Sequence, residues 1–188
     1  MLKPVRSALR AAIEGGVEFV AAYNRRRLPR TGNPFLVGVH EPMRSELTLG
    51  DLPVAGSIPA GLNGRYLKMG ANPVSPDPAG HHWFLGDGMV HGIAIEDGEA
   101  LWYRNRWIRS RAAAAALGRA AAPGPRRGRS DTVNTNVVDF GGRAFALVEA
   151  GSFPVELSET LEEQRYNPVD GALDGPFTGH PHRDPRTG

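Results

Sequence analysis

The sequence predicts an all-β fold preceded by one N-terminal helix. Near the start of the chain, over residues 4–24, apolar residues recur at helical spacing. From residue 32 onward, short apolar runs alternate with turn residues, and the 188-residue chain contains 24 Gly and 16 Pro. Strands separated by such frequent turns are typical of all-β proteins, and the length suffices for one domain with a buried core.

The first segment, residues 1–31, is predicted to be an amphipathic helix followed by a basic linker. Arg25, Arg26 and Arg27 suit the negative C-terminal end of a helix dipole, and Pro29 cannot continue the helix. Two interpretations of the apolar face stay open: packing on the rest of the protein, or contact with a membrane interface. The face consists of Val5, Leu9, Ala12, Ile13, Val17 and Val20.

The second segment, residues 32–188, is predicted to consist of strands joined by tight turns. Asp97-Gly98 and Gly141-Gly142 are hairpin turn signals between apolar runs. A sandwich, a barrel and propeller blades all agree with this pattern. A propeller blade takes roughly 40–45 residues, so a propeller in this chain is expected to be incomplete. The predicted strands are 64–69 alone, 89–96 paired with 100–108, and 133–140 paired with 143–149.

Basic residues are concentrated in two segments of the chain. Residues 1–30 carry seven Lys and Arg against two Glu, and residues 100–130 carry eight Arg and no acidic residue. An Ala-rich, Arg-rich insert, residues 109–130, is expected to be a mobile surface loop, with contact to an anionic membrane surface as the alternative. The arginines lack interleaved aromatic residues, which argues against binding of nucleic acid.

Composition also bears on the compartment. The chain has no cysteine, and therefore neither disulfides nor a thiolate metal site. No apolar run reaches the roughly 20 residues of a membrane span, and the first 20 residues do not resemble a secretory signal. We expect a cytoplasmic protein that contacts membranes peripherally.

Six histidines are the candidate metal ligands, and they form neither an HxxxH nor an HExxH pair. His180 and His182 would face the same side of a strand, but Pro181 makes that strand irregular. His91 alternates with apolar residues and is expected to be a packed, hydrogen-bonded side chain. Asp87, in Gly86-Asp87-Gly88, is expected to stabilise a tight turn.

Four blocks of this sequence, in the same order, resemble the carotenoid cleavage oxygenases, a family of non-haem iron enzymes that includes the retinoid isomerohydrolase and lignostilbene dioxygenases. The resemblance spans about residues 33–188. The blocks are GRYLKMGANP at 64–73, HWFLGDGMVHG at 82–92, NTNVV at 134–138 continuing to ALVEAG at 146–151, and FTGHPHRDP at 177–185.

The resemblance implies site residues and a parent fold, a seven-bladed β-propeller of which this chain has the first blades. His180 matches the first of the family's four iron-ligating histidines. Glu149 matches a glutamate that supports a ligand imidazole, in the family one of the later histidines. We expect Glu149 to be buried at a strand end, the alternative being a solvated strand-end acid. Gly179 stands where the family usually has alanine and is expected to loosen the backbone beside His180.

The same resemblance implies the chemistry. Its members use Fe(II) and O2 to cleave a C=C bond of a carotenoid, apocarotenoid or stilbene into two carbonyl products, and the substrate is apolar. The family's other three ligands lie further along its chain, so this chain is expected to be an N-terminal portion that is inactive alone. The alternative is a non-enzymatic, truncated β-domain or interaction module.

Overall fold

The structure, a computed structural model, describes residues 2–128, 130–149 and 151–187. Within these ranges the chain forms two α-helices and eight strands. The helices are α1 (Leu2–Arg25) and α2 (Arg111–Leu117); the strands are β1 (Thr48–Gly50), β2 (Gly64–Ala71), β3 (Gly88–Glu96), β4 (Glu99–Trp107), β5 (Asn136–Phe140), β6 (Arg143–Leu147), β7 (Val155–Leu157) and β8 (Gln164–Tyr166). The all-β prediction with an N-terminal helix is confirmed in this coarse form.

The chain divides into two compact units, of which the first comprises the residues up to Glu41 together with Pro76–His82. It contains α1, where the sequence predicts a helix. Asn33 organises the following turn: its Oδ1 accepts the Phe35 N–H at 2.9 Å, and its Nδ2 donates to the carbonyls of Pro78 and His81, each at 3.0 Å. None of the helices in the described ranges is long and apolar enough to cross a membrane.

The second unit, Pro42–Ser75 with the residues from Trp83 onward, contains two four-stranded antiparallel sheets. The first sheet has the order β1-β4-β3-β2. β3 and β4 form the first predicted hairpin, and its turn residues Asp97 and Gly98 have φ of 48° and 82°. Two consecutive positive φ values are the signature of a type I′ turn, which the Asp-Gly pair favours.

The second sheet has the order β5-β6-β7-β8 and begins with the second predicted hairpin. Its strands are shorter than predicted, because the paired ladder ends at Asn136 and Leu147. Val133 and Glu149 therefore lie outside the sheet. β7 and β8, three residues each, and β1 were not predicted, since so short a run carries no readable alternation.

The core of this unit lies between the two sheets. Val90 of β3 and Ala146 of β6 belong to one cluster of buried side chains together with Leu161, from the loop between β7 and β8. Leu161 is fully buried although its φ is +64°. A Cβ on Gly92 would lie 2.9 Å from Leu161 Cδ1, so glycine at position 92 makes room for this side chain.

The loop that carries Leu161 is fastened to the first sheet by arginines. Arg65 Nη1 donates to the Ser158 carbonyl at 3.1 Å, and Arg104 Nη1 donates to the Thr160 carbonyl at 3.0 Å. Arg106 pairs with Glu162. These contacts explain part of the arginine excess between residues 100 and 130: the charges on β4 hold the second sheet.

The Ala-rich insert at 109–130 is packed in the structure over most of its described length. Ser110 caps α2 by accepting the Ala113 N–H at 3.1 Å, and Gly118 ends the helix in the left-handed conformation. Arg126 Nε lies 2.7 Å from Oδ2 of buried Asp131, and its guanidinium covers the Tyr166 ring at 4.4 Å. Arg129 lies outside the described residues. The mobility of the insert stays a prediction, but Arg126 is engaged within the protein.

Candidate metal centre

The turn that carries His180 lies beside the second sheet. The ring of Phe177 meets that of Phe140 in β5 edge-on, with centroids 6.0 Å apart. The Thr178 hydroxyl accepts the backbone N–H of His180 at 3.1 Å, which closes a local turn. The His180 side chain is 71% exposed. The backbone of this segment is therefore anchored while its imidazole points to open space.

Glu149 reaches this turn from the end of β6. Its Oε2 accepts the backbone N–H of Gly179 at 2.9 Å and lies 3.5 Å from the Thr178 hydroxyl. The same oxygen is 3.6 Å from Nδ1 of His180. The structure thus brings together Glu149 and His180, the two site residues named from the sequence.

The predicted burial of Glu149 is wrong, because its side chain is 62% exposed. The strand ends two residues earlier, at Leu147, and the chain then turns away from the sheet. The alternative of a solvated strand-end acid describes the exposure. It does not describe the contacts, since one carboxylate oxygen is committed to the Gly179 N–H.

Gly179 is buried between two neighbours from the second sheet. A Cβ at this position would lie 2.7 Å from Thr135 Cγ2, 3.1 Å from Glu149 Oε2 and 3.2 Å from the Glu149 nitrogen. Thr135 is itself fixed, because its N–H donates to the Leu147 carbonyl at 2.9 Å. The glycine is thus a position of close approach. Sequence reasoning quoted Thr135 within a matching block but assigned it no role.

The four sequence blocks contact one another in the structure. Asn134 Nδ2 donates to the carbonyl of Gly86 at 2.7 Å, which joins the third block to the second. Asp87 Oδ2 accepts the Val74 N–H at 3.0 Å, beside the first block. A Cβ on Gly88 would overlap the carbonyl oxygen of Val133, so the two backbones cross there without room for a side chain.

The remaining candidate histidines have other roles. His91 Nδ1 lies 2.8 Å from the Tyr103 hydroxyl, which confirms a hydrogen-bonded histidine, although the side chain is half-buried. Burial lowers the pKa of His91, and the charge of Lys68 lowers that pKa further. His82 packs its ring against Phe35, with centroids 4.6 Å apart. His182 is exposed.

The donors of the described part do not form an iron site on their own. Within residues 2–128, 130–149 and 151–187, no group of three or more His, Cys, Asp and Glu side chains could hold a metal ion. His180 fits one position of a histidine-only site: its imidazole is exposed and has a carboxylate nearby. Neutral imidazole is a suitable ligand for Fe(II), but a single ligand does not select this metal.

Comparisons with known proteins agree with this arrangement. The family model described as RPE65, retinal pigment epithelial membrane protein, matches residues 40–188. The carotenoid cleavage oxygenase of Mycobacterium tuberculosis is 52% identical over 160 residues, covering 83% of this chain and 32% of that protein. The carotenoid 9,10(9',10')-cleavage dioxygenase 1 of Arabidopsis thaliana is 31% identical over 185 residues, covering 82% of this chain and 34% of its own.

A solved structure shares the fold. The lignostilbene dioxygenase of Pseudomonas brassicacearum superposes with a TM-score of 0.69 at 27% identity, covering 86% of this chain and 36% of that chain. The chain thus spans about a third of the length of the relatives it matches. From the match over residues 40–188 and these relatives, the chain belongs to the RPE65 and carotenoid cleavage oxygenase family.

Proposed function

We propose that this chain supplies the first metal ligand of a non-haem Fe(II) dioxygenase that cleaves a C=C bond of a carotenoid, apocarotenoid or stilbene. The observation that carries the proposal is the turn at His180, which displays an exposed imidazole on a backbone held by Glu149. The family membership and the names of the relatives, carotenoid cleavage oxygenases and a lignostilbene dioxygenase, support the substrate class.

In this proposal the two sheets are the first blades of a seven-bladed propeller. Four-stranded antiparallel sheets are the units of which propellers are built, and both sheets have this size. His180 would offer a ring nitrogen to the iron, while Glu149 and Thr135 hold the backbone beside it. Iron, when bound, supplies the redox chemistry by which O2 reacts with the double bond, one oxygen atom going to each carbonyl product. Three further ligands would come from the rest of the protein.

The test compares the 188-residue chain with the longest product of the same gene. Each is purified, analysed for iron, and incubated aerobically with one carotenoid and one hydroxylated stilbene; carbonyl products are identified by mass. We expect near-stoichiometric iron and cleavage for the longer product, and neither for the 188-residue chain, because one imidazole cannot hold Fe(II) selectively.

The matched control uses the two histidines of one segment. In the longer product, His180→Ala should abolish iron loading and cleavage, while His182→Ala should retain both. Iron-loaded protein that cleaves neither substrate class would favour the non-enzymatic β-domain. Stoichiometric iron and turnover in the 188-residue chain would contradict the proposal and require either several chains for one site or a different site.

We further propose a cytoplasmic protein that collects its apolar substrate at a membrane surface. Two observations support this. In α1, the apolar side chains of Ile13, Val17 and Val20 are more than half exposed, at 58%, 63% and 55%. Arg25, Arg26 and Arg27 follow at the end of that helix, where cations near an anionic lipid surface contribute about 1 kcal/mol each.

A further inference from the structure

We propose that Glu149 is a positioning residue for His180 that acts through the backbone N–H of Gly179, and that glycine at position 179 is what admits the carboxylate. This inference rests on the proposed function, since it concerns the ligand turn of that site. It differs from a carboxylate that orients an imidazole ring, because the group held here is the peptide backbone.

The distances distinguish the two roles. The Glu149 carboxylate oxygen is 2.9 Å from the Gly179 nitrogen, an ordinary hydrogen-bond length, but 3.6 Å from Nδ1 of His180, which is beyond one. A bond from a backbone N–H to an ionised carboxylate is stronger than one between neutral groups. The carboxylate therefore fixes where the turn lies and leaves the ring of His180 free to rotate.

Three segments meet at Gly179 without space for a methyl group. Thr135 precedes β5, Glu149 follows β6, and the turn fits between their side chains. An alanine at 179 would place its Cβ 2.7 Å from Thr135 Cγ2 and 3.1 Å from Glu149 Oε2. The Thr135 methyl is the tighter obstacle, because the Thr135 backbone is bonded to Leu147. Alanine at 179 should therefore push the turn away from the carboxylate.

This geometry makes residues 135 and 179 a coupled pair. Thr135→Ser removes the Cγ2 atom and leaves the hydroxyl, so it creates the space that Gly179→Ala needs. Thr135→Ser alone should leave the turn unchanged, Gly179→Ala alone should displace it, and the double variant should return it toward its original position. A residue that only tolerates glycine for backbone freedom would show no such rescue.

The first measurement is hydrogen exchange at the Gly179 amide in the metal-free 188-residue chain, labelled with ¹⁵N-glycine. Glu149→Ala should speed exchange at Gly179 about tenfold, the lower end of the effect of a hydrogen bond to a charged group, because the site is exposed. Glu149→Gln keeps an acceptor oxygen and should retain most of the protection. Glu149 is exposed, so both variants should fold, which circular dichroism checks.

The second measurement is Fe(II) affinity of the longer gene product. Glu149→Ala and Gly179→Ala should weaken it about 10–100-fold, as loss of an outer support does, with recovery in Glu149→Gln and in the Thr135→Ser, Gly179→Ala double variant. Unchanged Gly179 exchange in Glu149→Ala, or a double variant no better than Gly179→Ala, would overturn the proposal. Because exchange is read without iron or substrate, absence of cleavage would count against the proposed function alone.

Discussion

Truncation of Leu161 tests the contact between the two sheets. Its side chain is fully buried, beside Leu67 and Trp102 around Gly92. Loss of a buried leucine side chain typically lowers the free energy of unfolding by about 2–5 kcal/mol, depending on how far the cavity collapses. Three arginines hold the Leu161 loop in place, which limits collapse, so we expect about 3 kcal/mol for Leu161→Ala.

The backbone of Leu161 adds a second, separable contribution. With φ at +64°, any residue with a Cβ is strained there by about 1–2 kcal/mol, whereas glycine is not. Leu161→Gly removes one methyl more than Leu161→Ala but releases this strain. It should therefore be at least as stable as Leu161→Ala, the reverse of the usual order at a position with negative φ.

Urea unfolding of the 188-residue chain, followed by tryptophan fluorescence, measures both effects. At a slope of about 2 kcal/mol per molar urea, Leu161→Ala should lower the midpoint by about 1.5 M. Leu101→Ala on β4, where the side chain is 42% exposed, is the matched control and should shift the midpoint far less. Equal shifts for the two alanine variants would refute the reasoning, as would a Leu161→Gly variant clearly less stable than Leu161→Ala.

Three further predictions concern backbone crossing, pH and lipid. Gly88→Ala should prevent stable folding, because its methyl would overlap the Val133 carbonyl, whereas Gly70→Ala in the neighbouring strand has no atom within 4 Å to meet; thermal melts of both variants check this. The lowered pKa of His91 means that the unfolded chain binds a proton more readily, so the free energy of unfolding should fall as the pH drops through about 6.5 and below. A His91→Gln variant whose stability depends on pH as steeply as the wild type would contradict that assignment. Sedimentation with anionic vesicles should weaken with salt and be lost in a variant that spares the engaged Arg126; equal recovery with neutral vesicles would exclude electrostatic docking. That variant replaces Arg25, Arg26, Arg27, Arg127 and Arg129 with alanine.

The predictable part of the fold was the part with local signals. Asp97-Gly98 and Gly141-Gly142 sit between apolar runs, and both hairpins form where these pairs predict them. The three-residue strands β7 and β8 have no such signal, since they exist because β6 offers an edge to pair with. The inward position of Leu161 is likewise a tertiary property, because nothing in the sequence announces a buried leucine at positive φ.

The candidate site divides in the same way. His180 and Glu149 could be named because their blocks resemble those of a known family. The prediction that Gly179 loosens the backbone was wrong in its physical reason: this glycine is buried and closely packed. That packing depends on Thr135, 44 positions earlier in the chain, and no local pattern reports a distance between such remote segments.

The attachment of the His180 turn also has a kinetic consequence. The bond between Glu149 and Gly179 joins residues 30 positions apart, and closing a loop of that length costs about 3 kcal/mol of chain entropy. Within the part of the chain that the structure describes, this turn belongs to neither sheet, so it can open while both ladders stay intact. We expect it to form late in folding and to exchange its amides by local opening rather than by global unfolding. A ligand that bridges the turn and the hairpin would then act as a clasp, slowing that opening in proportion to its occupancy.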